Sequence, residues 1–112
     1  MQLSEQIQKE IEMIVESIIK TVDCEKIYLF GSYAYGTPHK YSDLDFYVIL
    51  PDGTGNPWDV MRNIHINFIN MQKTIPVDVL AAHSSRFFER STLPTIEMKI
   101  VTEGILLYDR LH

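Results

Sequence analysis

Apolar residues recur at three- and four-residue steps through the first stretch of the chain: Leu3, Ile7, Ile11, Ile14, Val15, Ile18, Ile19 and Val22. Steps of that size place them on one stripe of a helix, with Glu5, Lys9, Glu12, Glu16 and Lys20 largely off it. The period then changes. KIYLF (26–30) is a short β-rich run closed by Gly31-Ser32, and a glycine there permits a sharp turn and close backbone approach to a ligand. Residues 33–42 predict a turn of helix and then a loop marked by Gly36 and Pro38. DLDFYVIL (43–50) reads as a buried strand whose alternation puts Asp43 and Asp45 on one face and Leu44, Phe46 and Val48 on the other. After a loop at 51–57, Asn56 predicts a helix cap with Pro57 at the first helical position. Val60, Ile64, Phe68 and Met71 then form the inner stripe of a helix over 57–73. PVDVLAA (76–82) is a third strand, with Asp78 set between Val77 and Val79. Ser84 is expected to cap a short helix through Arg90. Pro94 is expected to open another that ends at Gly104 as its C′ residue, and ILLY (105–108) to be a last strand.

The order is helix, strand, helical turn, strand, helix, strand, helices, strand. It describes an α+β chain, a sheet with helices packed on it, and no repeat, low-complexity stretch or linker divides residues 1–112, so one domain is expected. The composition, 46% hydrophobic and 22% charged, is that of a folded globule rather than a disordered chain. A formal net charge of −5 counts against unaided binding to duplex nucleic acid, whose affinity comes largely from basic side chains on phosphates. Cys24 stands alone, which excludes an intrachain disulfide and a cysteine zinc site. Charges interrupt the N-terminal apolar positions, unlike a secretory leader, and no apolar run reaches the roughly 18 residues of a membrane span. A cytoplasmic location is therefore expected.

Three aspartates carry the chemistry. Asp43 and Asp45, two apart on an extended segment, project from the same face. Like charges that close repel, and one would take up a proton unless a cation lay between them. Mg²⁺ prefers carboxylate and phosphate oxygens and suits such a pair. Asp78 would join them if its strand lay beside the 43–50 strand with its acid on the same face. One or two ions held there would reconcile an acidic protein with an anionic substrate. An isolated Asp-x-Asp is more often a solvated strand end, and a lone Gly-Ser more often a turn. Their combination is informative.

Gly-Ser after a strand, ten residues, Asp-x-Asp opening an apolar strand, and a later acid in a third strand together resemble the signature of the DNA polymerase β-like nucleotidyltransferase superfamily. The short chain is similar to its minimal nucleotidyltransferase branch. The match lies in LFGSYAYGTPHKYSDLDFYVIL (29–50) and PVDVL (76–80), with EGILLYD (103–109) like the end of such domains. The resemblance implies a nucleotidyltransferase fold, a small mixed sheet with helices packed on it. It implies that Gly31 and Ser32 receive the triphosphate of ATP, that Asp43 and Asp45 ligate Mg²⁺, and that Asp78 ligates a second ion and helps deprotonate or orient the acceptor hydroxyl. Many members of the branch carry arginine just before, or two residues before, the glycine after the Gly-Ser turn. Here Tyr33 and Tyr35 flank Ala34 ahead of Gly36, and Lys40, Arg62 or Arg86 would have to supply the charge.

Other residues invite blander readings. His39, His65, His83 and His112 lack ligand spacing, Phe87 and Phe88 suit a core or a subunit contact, and Cys24 has no base beside it in sequence. Trp58 is expected to be a packing anchor. Gly53 and Gly55 lack the lysine of a phosphate loop.

The expected activity is Mg²⁺-dependent transfer of AMP from ATP to a hydroxyl. By resemblance, the acceptor is a tyrosine of a HEPN-type toxin, for which the chain would be the antitoxin. A non-catalytic module of the same fold that silences a partner by contact is the alternative, and a small-molecule nucleotidyltransferase of the aminoglycoside type a third. The base of the nucleotide and the oligomeric state stay open.

Overall fold

The computed structural model of the protein describes residues 3–111. Helix α1 (Glu5–Thr21) begins where the Ser4 hydroxyl accepts the N–H of Ile7, which satisfies one of the free amides of its first turn. Strand β1 (Lys26–Phe30) leads into the single helical turn α2 (Ser32–Tyr35), and β2 (Leu44–Leu50) follows. Helix α3 (Pro57–Phe68) is capped by Asn56, whose side chain accepts the N–H of Trp58 at 2.8 Å. Then come β3 (Val77–His83), α4 (Ser84–Ser91), α5 (Ile96–Glu103) and β4 (Ile105–Asp109).

The four strands lie in the order β3-β2-β1-β4. Both neighbours of β1 run antiparallel to it, whereas β2 and β3 are parallel and joined through α3. The sheet is therefore mixed. Its two faces follow from strand alternation. Ile27, Leu29, Leu44, Phe46, Val48, Leu50 and Val79 turn toward α1 and α3, where Ile11, Ile14, Ile18, Ile64 and Phe68 complete the main core. On the opposite face Tyr28, Tyr47, Ile49 and Ala82 pack with Phe87 of α4 and Ile100 of α5. Phe87 meets Tyr47 edge-on at 4.9 Å between ring centroids.

Four details depart from the sequence reading. Helix α3 stops at Phe68 rather than at 73, because the chain must turn back into β3. Buried Glu10 of α1 fixes that return by accepting the N–H of Thr74 at 2.7 Å and of Ile75 at 3.4 Å, together with the Thr74 hydroxyl. Ser84 is the first residue of α4 and does not cap it. His83 occupies the cap position, and Asp52 accepts the N–H of Ser85 from outside. Helix α5 starts later than Pro94, at a Thr95 cap. Gly104 is extended rather than left-handed. A side chain is excluded there because a Cβ would lie 2.6 Å from the Ile100 carbonyl oxygen and 3.1 Å from that of Leu29.

Candidate active site

The end of β1 and the beginnings of β2 and β3 meet at one end of the sheet, since Phe30 pairs with Asp45 and Asp45 with Asp78. Register partners project to the same side, so Asp45 and Asp78 share the face that carries α4 and α5. Asp43 lies just ahead of β2, two residues before Asp45. All three acids predicted from sequence are thus brought to one corner. Burial first, then the charges of Asp43 and Asp78, push the Asp45 carboxyl up to about 6. Asp78 Oδ1 accepts the N–H of Val79 at 3.0 Å, which fixes that carboxylate beside its own strand. This donor set, oxygen-only and mutually repelling, fits a hard divalent cation. Among the described residues no three His, Cys, Asp or Glu side chains already stand at metal-ligand distances, so strand pairing supplies only the neighbourhood, and the carboxylates would have to rotate to enclose an ion.

Gly31 is the hinge between strand and helical turn, at φ 76° and ψ −165°, a backbone that other residues rarely adopt. A Cβ at Gly31 would collide with the Asp45 carboxylate, so the glycine is required by its neighbour as well as by its turn. The Gly31 carbonyl accepts the N–H groups of Ala34 and Tyr35, both at 3.0 Å, and the Ser32 hydroxyl at the start of the turn has no hydrogen-bond partner among the described residues. The Ser42 hydroxyl accepts the N–H of His39 at 2.8 Å and shapes the loop before Asp43.

Tyr35 folds back over this corner. Burial, and then the charges of Glu103 and Asp45, raise its hydroxyl above the ordinary tyrosine value, against the opposing pull of the Gly31 N–H. Lys99 of α5 stands over its ring, 4.5 Å from the centroid. The three cations considered from sequence lie elsewhere. Lys40 sits over the exposed Tyr41 ring, Arg62 pairs with Asp59 at 3.0 Å, and Arg86 lines a cleft along β3.

The sequence matches the family described as polymerase beta, nucleotidyltransferase, over residues 12–112. The chain belongs to that family. No curated protein was found to match it. Among solved structures, this nucleotidyltransferase is similar to a protein from Sulfolobus solfataricus provisionally described as a nucleotidyltransferase. The two share 22% identity at a TM-score of 0.60, over 98% of this chain and 92% of that one. It is also similar to a chain of a toxin–antitoxin complex crystallised with AMP-PNP, at 23% identity and a TM-score of 0.55, over 88% of this chain and 72% of that one. A variant of the MntA–HpeT toxin–antitoxin, with a tyrosine replaced by alanine, matches at 25% identity and a TM-score of 0.51, over 96% and 74%. The nucleotidyltransferase fold expected from the sequence is the fold observed.

One expectation is overturned. Trp58 is no packing anchor, for it is 77% exposed. It lies two residues before Val60, about 200° around the helix from the apolar stripe, an offset that the sequence already contained. Lys99 could not have been found that way, because only the packing of α5 beside α2 brings it to Tyr35. Among the described residues no helix is long and apolar enough to cross a membrane.

Proposed function

We propose that this nucleotidyltransferase transfers AMP from ATP to a tyrosine hydroxyl of a partner protein of the HEPN toxin type, and thereby acts as its antitoxin. The observation that carries the reading is the register of β2 on β3, which makes Asp45 and Asp78 immediate neighbours with Asp43 beside them. Fold similarity to chains of a toxin–antitoxin pair, one crystallised with AMP-PNP, supports the choice of nucleotide and partner class.

Asp43, Asp45 and Asp78 would hold one or two Mg²⁺ ions, which neutralise the α-phosphate and the leaving pyrophosphate. Gly31 gives the triphosphate close access to backbone, and Ser32 offers its hydroxyl to the β- or γ-phosphate. The acceptor oxygen bonds to the α-phosphorus while the bond from that phosphorus to the bridging oxygen breaks, and pyrophosphate leaves in line. The hydroxyl proton passes to Asp78 Oδ2, the oxygen not engaged by the N–H of Val79. Orientation and charge neutralisation supply most of the acceleration.

The test is to incubate the protein with α-labelled ATP, Mg²⁺ and the product of the neighbouring reading frame. The reading expects label on a partner tyrosine, lost in Asp43→Ala and Asp45→Ala. Label that survives both substitutions refutes the metal role, and neutralisation of the partner without label points to silencing by contact alone.

A further inference from the structure

A cleft that the proposed roles of Gly31, Ser32 and the aspartates do not use lies along β3 beyond the acids, none of which lines it. Tyr47 lies two residues along β2 from Asp45, and Leu80 two along β3 from Asp78, each about 7 Å further on and on the same face. From there a hollow of about 390 Å³ runs along the outer edge of β3, between the first turn of α3 and α4. Trp58 and Met61 form one wall, Leu80 the floor, and Arg86 and Arg90 the other wall.

Its charges are unevenly committed. Buried Glu97 accepts the Tyr47 hydroxyl at 3.0 Å and the Arg90 Nε–H at 3.1 Å, so the base of the cleft is satisfied internally. Arg86, on the exposed face of α4, has no ion pair among the described residues. Two arginines against one glutamate make this hollow locally positive in a chain of net charge −5. Beside them stands Trp58, the single tryptophan, 77% exposed. An exposed tryptophan facing an uncommitted arginine is the composition of a recognition surface rather than of a solvated face.

Position in the reaction selects the occupant. Under the proposed function the leaving pyrophosphate sits at Gly31 and Ser32, beyond β2 on the β1 side. In-line transfer requires the acceptor to approach from the opposite side, which is that of Asp78 and β3. We infer that this cleft seats the acceptor protein, taking an apolar or aromatic side chain against Trp58 and Met61 and an acidic side chain on Arg86. A tyrosine in the same segment then reaches Asp78. The inference rests on the transferase reading, but cleft occupancy can be measured without transfer.

Trp58 makes that measurement direct, since no other tryptophan contributes to the emission. The probes are a capped hexapeptide with phenylalanine and tyrosine at its centre and glutamates on both sides, and its counterpart with lysines. Excitation at the red edge, without nucleotide or metal, should show a blue shift that saturates with the acidic peptide and is weaker with the basic one. Arg86→Glu should weaken binding of the acidic peptide at least about tenfold and leave the thermal midpoint unchanged. With ATP and Mg²⁺, Trp58→Ala and Arg86→Glu should raise the KM for the acidic peptide and leave that for ATP alone. Asp45→Asn should keep binding and lose transfer. Equal binding of the two peptides overturns the inference. So does a shift produced by AMP-PNP alone and unchanged in Arg86→Glu, which makes the cleft a nucleotide subsite. Binding as described with no transfer in the wild type would instead remove the function reading and leave the cleft reading standing.

Discussion

Glu10 and Asp45 are both carboxylates drawn away from water, and the protein treats them in opposite ways. Around Glu10, which is 2% exposed, the amides of Thr74 and Ile75, the Thr74 hydroxyl and the Gln6 side chain all donate. Burial alone would raise its pKa, yet these donors together bring it below the ordinary glutamate value. Glu97 is handled likewise by Tyr47 and Arg90. Around Asp45 burial acts in the same direction, but its charged neighbours are two further carboxylates, and the carboxyl rises to about 6. A buried acid that exists for structure is given donors. One surrounded by its own kind has only repulsion, which a proton or a cation between the carboxylates would relieve.

Asp45→Asn draws that line most sharply. Under the proposed function it removes one ligand of the ion at the reacting phosphate and should lower the transfer rate at least about a thousandfold. The metal-free protein should be as stable as wild type or more so, because a repelling charge has been removed. A variant that melts lower and still transfers would erase the distinction drawn here.

Glu10→Ala is the mirror experiment. It leaves the part-buried Thr74 and Ile75 amides without their carboxylate acceptor, a loss of about 1–3 kcal/mol. Thermal unfolding should therefore move down on the order of 10 °C for a domain of this size. Glu10→Gln keeps an acceptor oxygen and should recover part of the loss. Unchanged midpoints would mean that Glu10 does not secure the return into β3.

Most of the scaffold side of this comparison was legible in the sequence, because periodicity reports burial. The α1 stripe, the alternation in β2 and the β-rich run at 76–82 are all repeats of apolar side chains, and they predicted the elements to within a few residues. Asp43, Asp45 and Asp78 were legible as odd polar residues within apolar strands. What escaped was set by contacts distant in sequence. Nothing near residue 68 shows that α3 must end there, since the reason lies in Glu10, more than fifty positions earlier. The network of Tyr47, Arg90 and Glu97 joins β2, α4 and α5, and no local pattern announces it. Trp58 lies off the apolar stripe of α3, and its exposure follows from that angle.

Acidity should divide the two carboxylate types along the pH axis. For Asp45, whose pKa is raised from 3.8 to about 6, the native state holds the proton more tightly than the unfolded chain. Metal-free stability should therefore fall as pH climbs from about 4 to about 6, and stay lower above. Glu10 and Glu97 have lowered values, so their contribution is complete above the ordinary glutamate range and is lost as pH falls through their native pKa. Thermal midpoints taken against pH should show the limb between 4 and 6 flatten when Mg²⁺ is added, since the ion favours the ionised carboxylates, and flatten equally in Asp45→Asn. A limb indifferent to both treatments would place the titration elsewhere.

The smallest effect concerns the cation that stands where the site is otherwise acidic. Lys99 is held over the Tyr35 ring, and under the proposed function its ammonium would stand on the triphosphate side of the acids. An exposed attraction between an ammonium and a phosphate is worth about 0.5–1 kcal/mol. Lys99→Met keeps the apolar stem on the ring and removes the charge. The KM for ATP should rise about two- to fivefold with kcat nearly unchanged, because the lost attraction acts on bound substrate and transition state alike. Tyr35→Arg places a guanidinium in the same corner from α2 and should restore the KM in the Lys99→Met background. If it does, the charge is what the corner requires, and this chain supplies from α5 what the minimal branch carries on the Gly-Ser turn. If Lys99→Met leaves the KM unmoved, the ring contact belongs with Glu10 among the scaffold interactions.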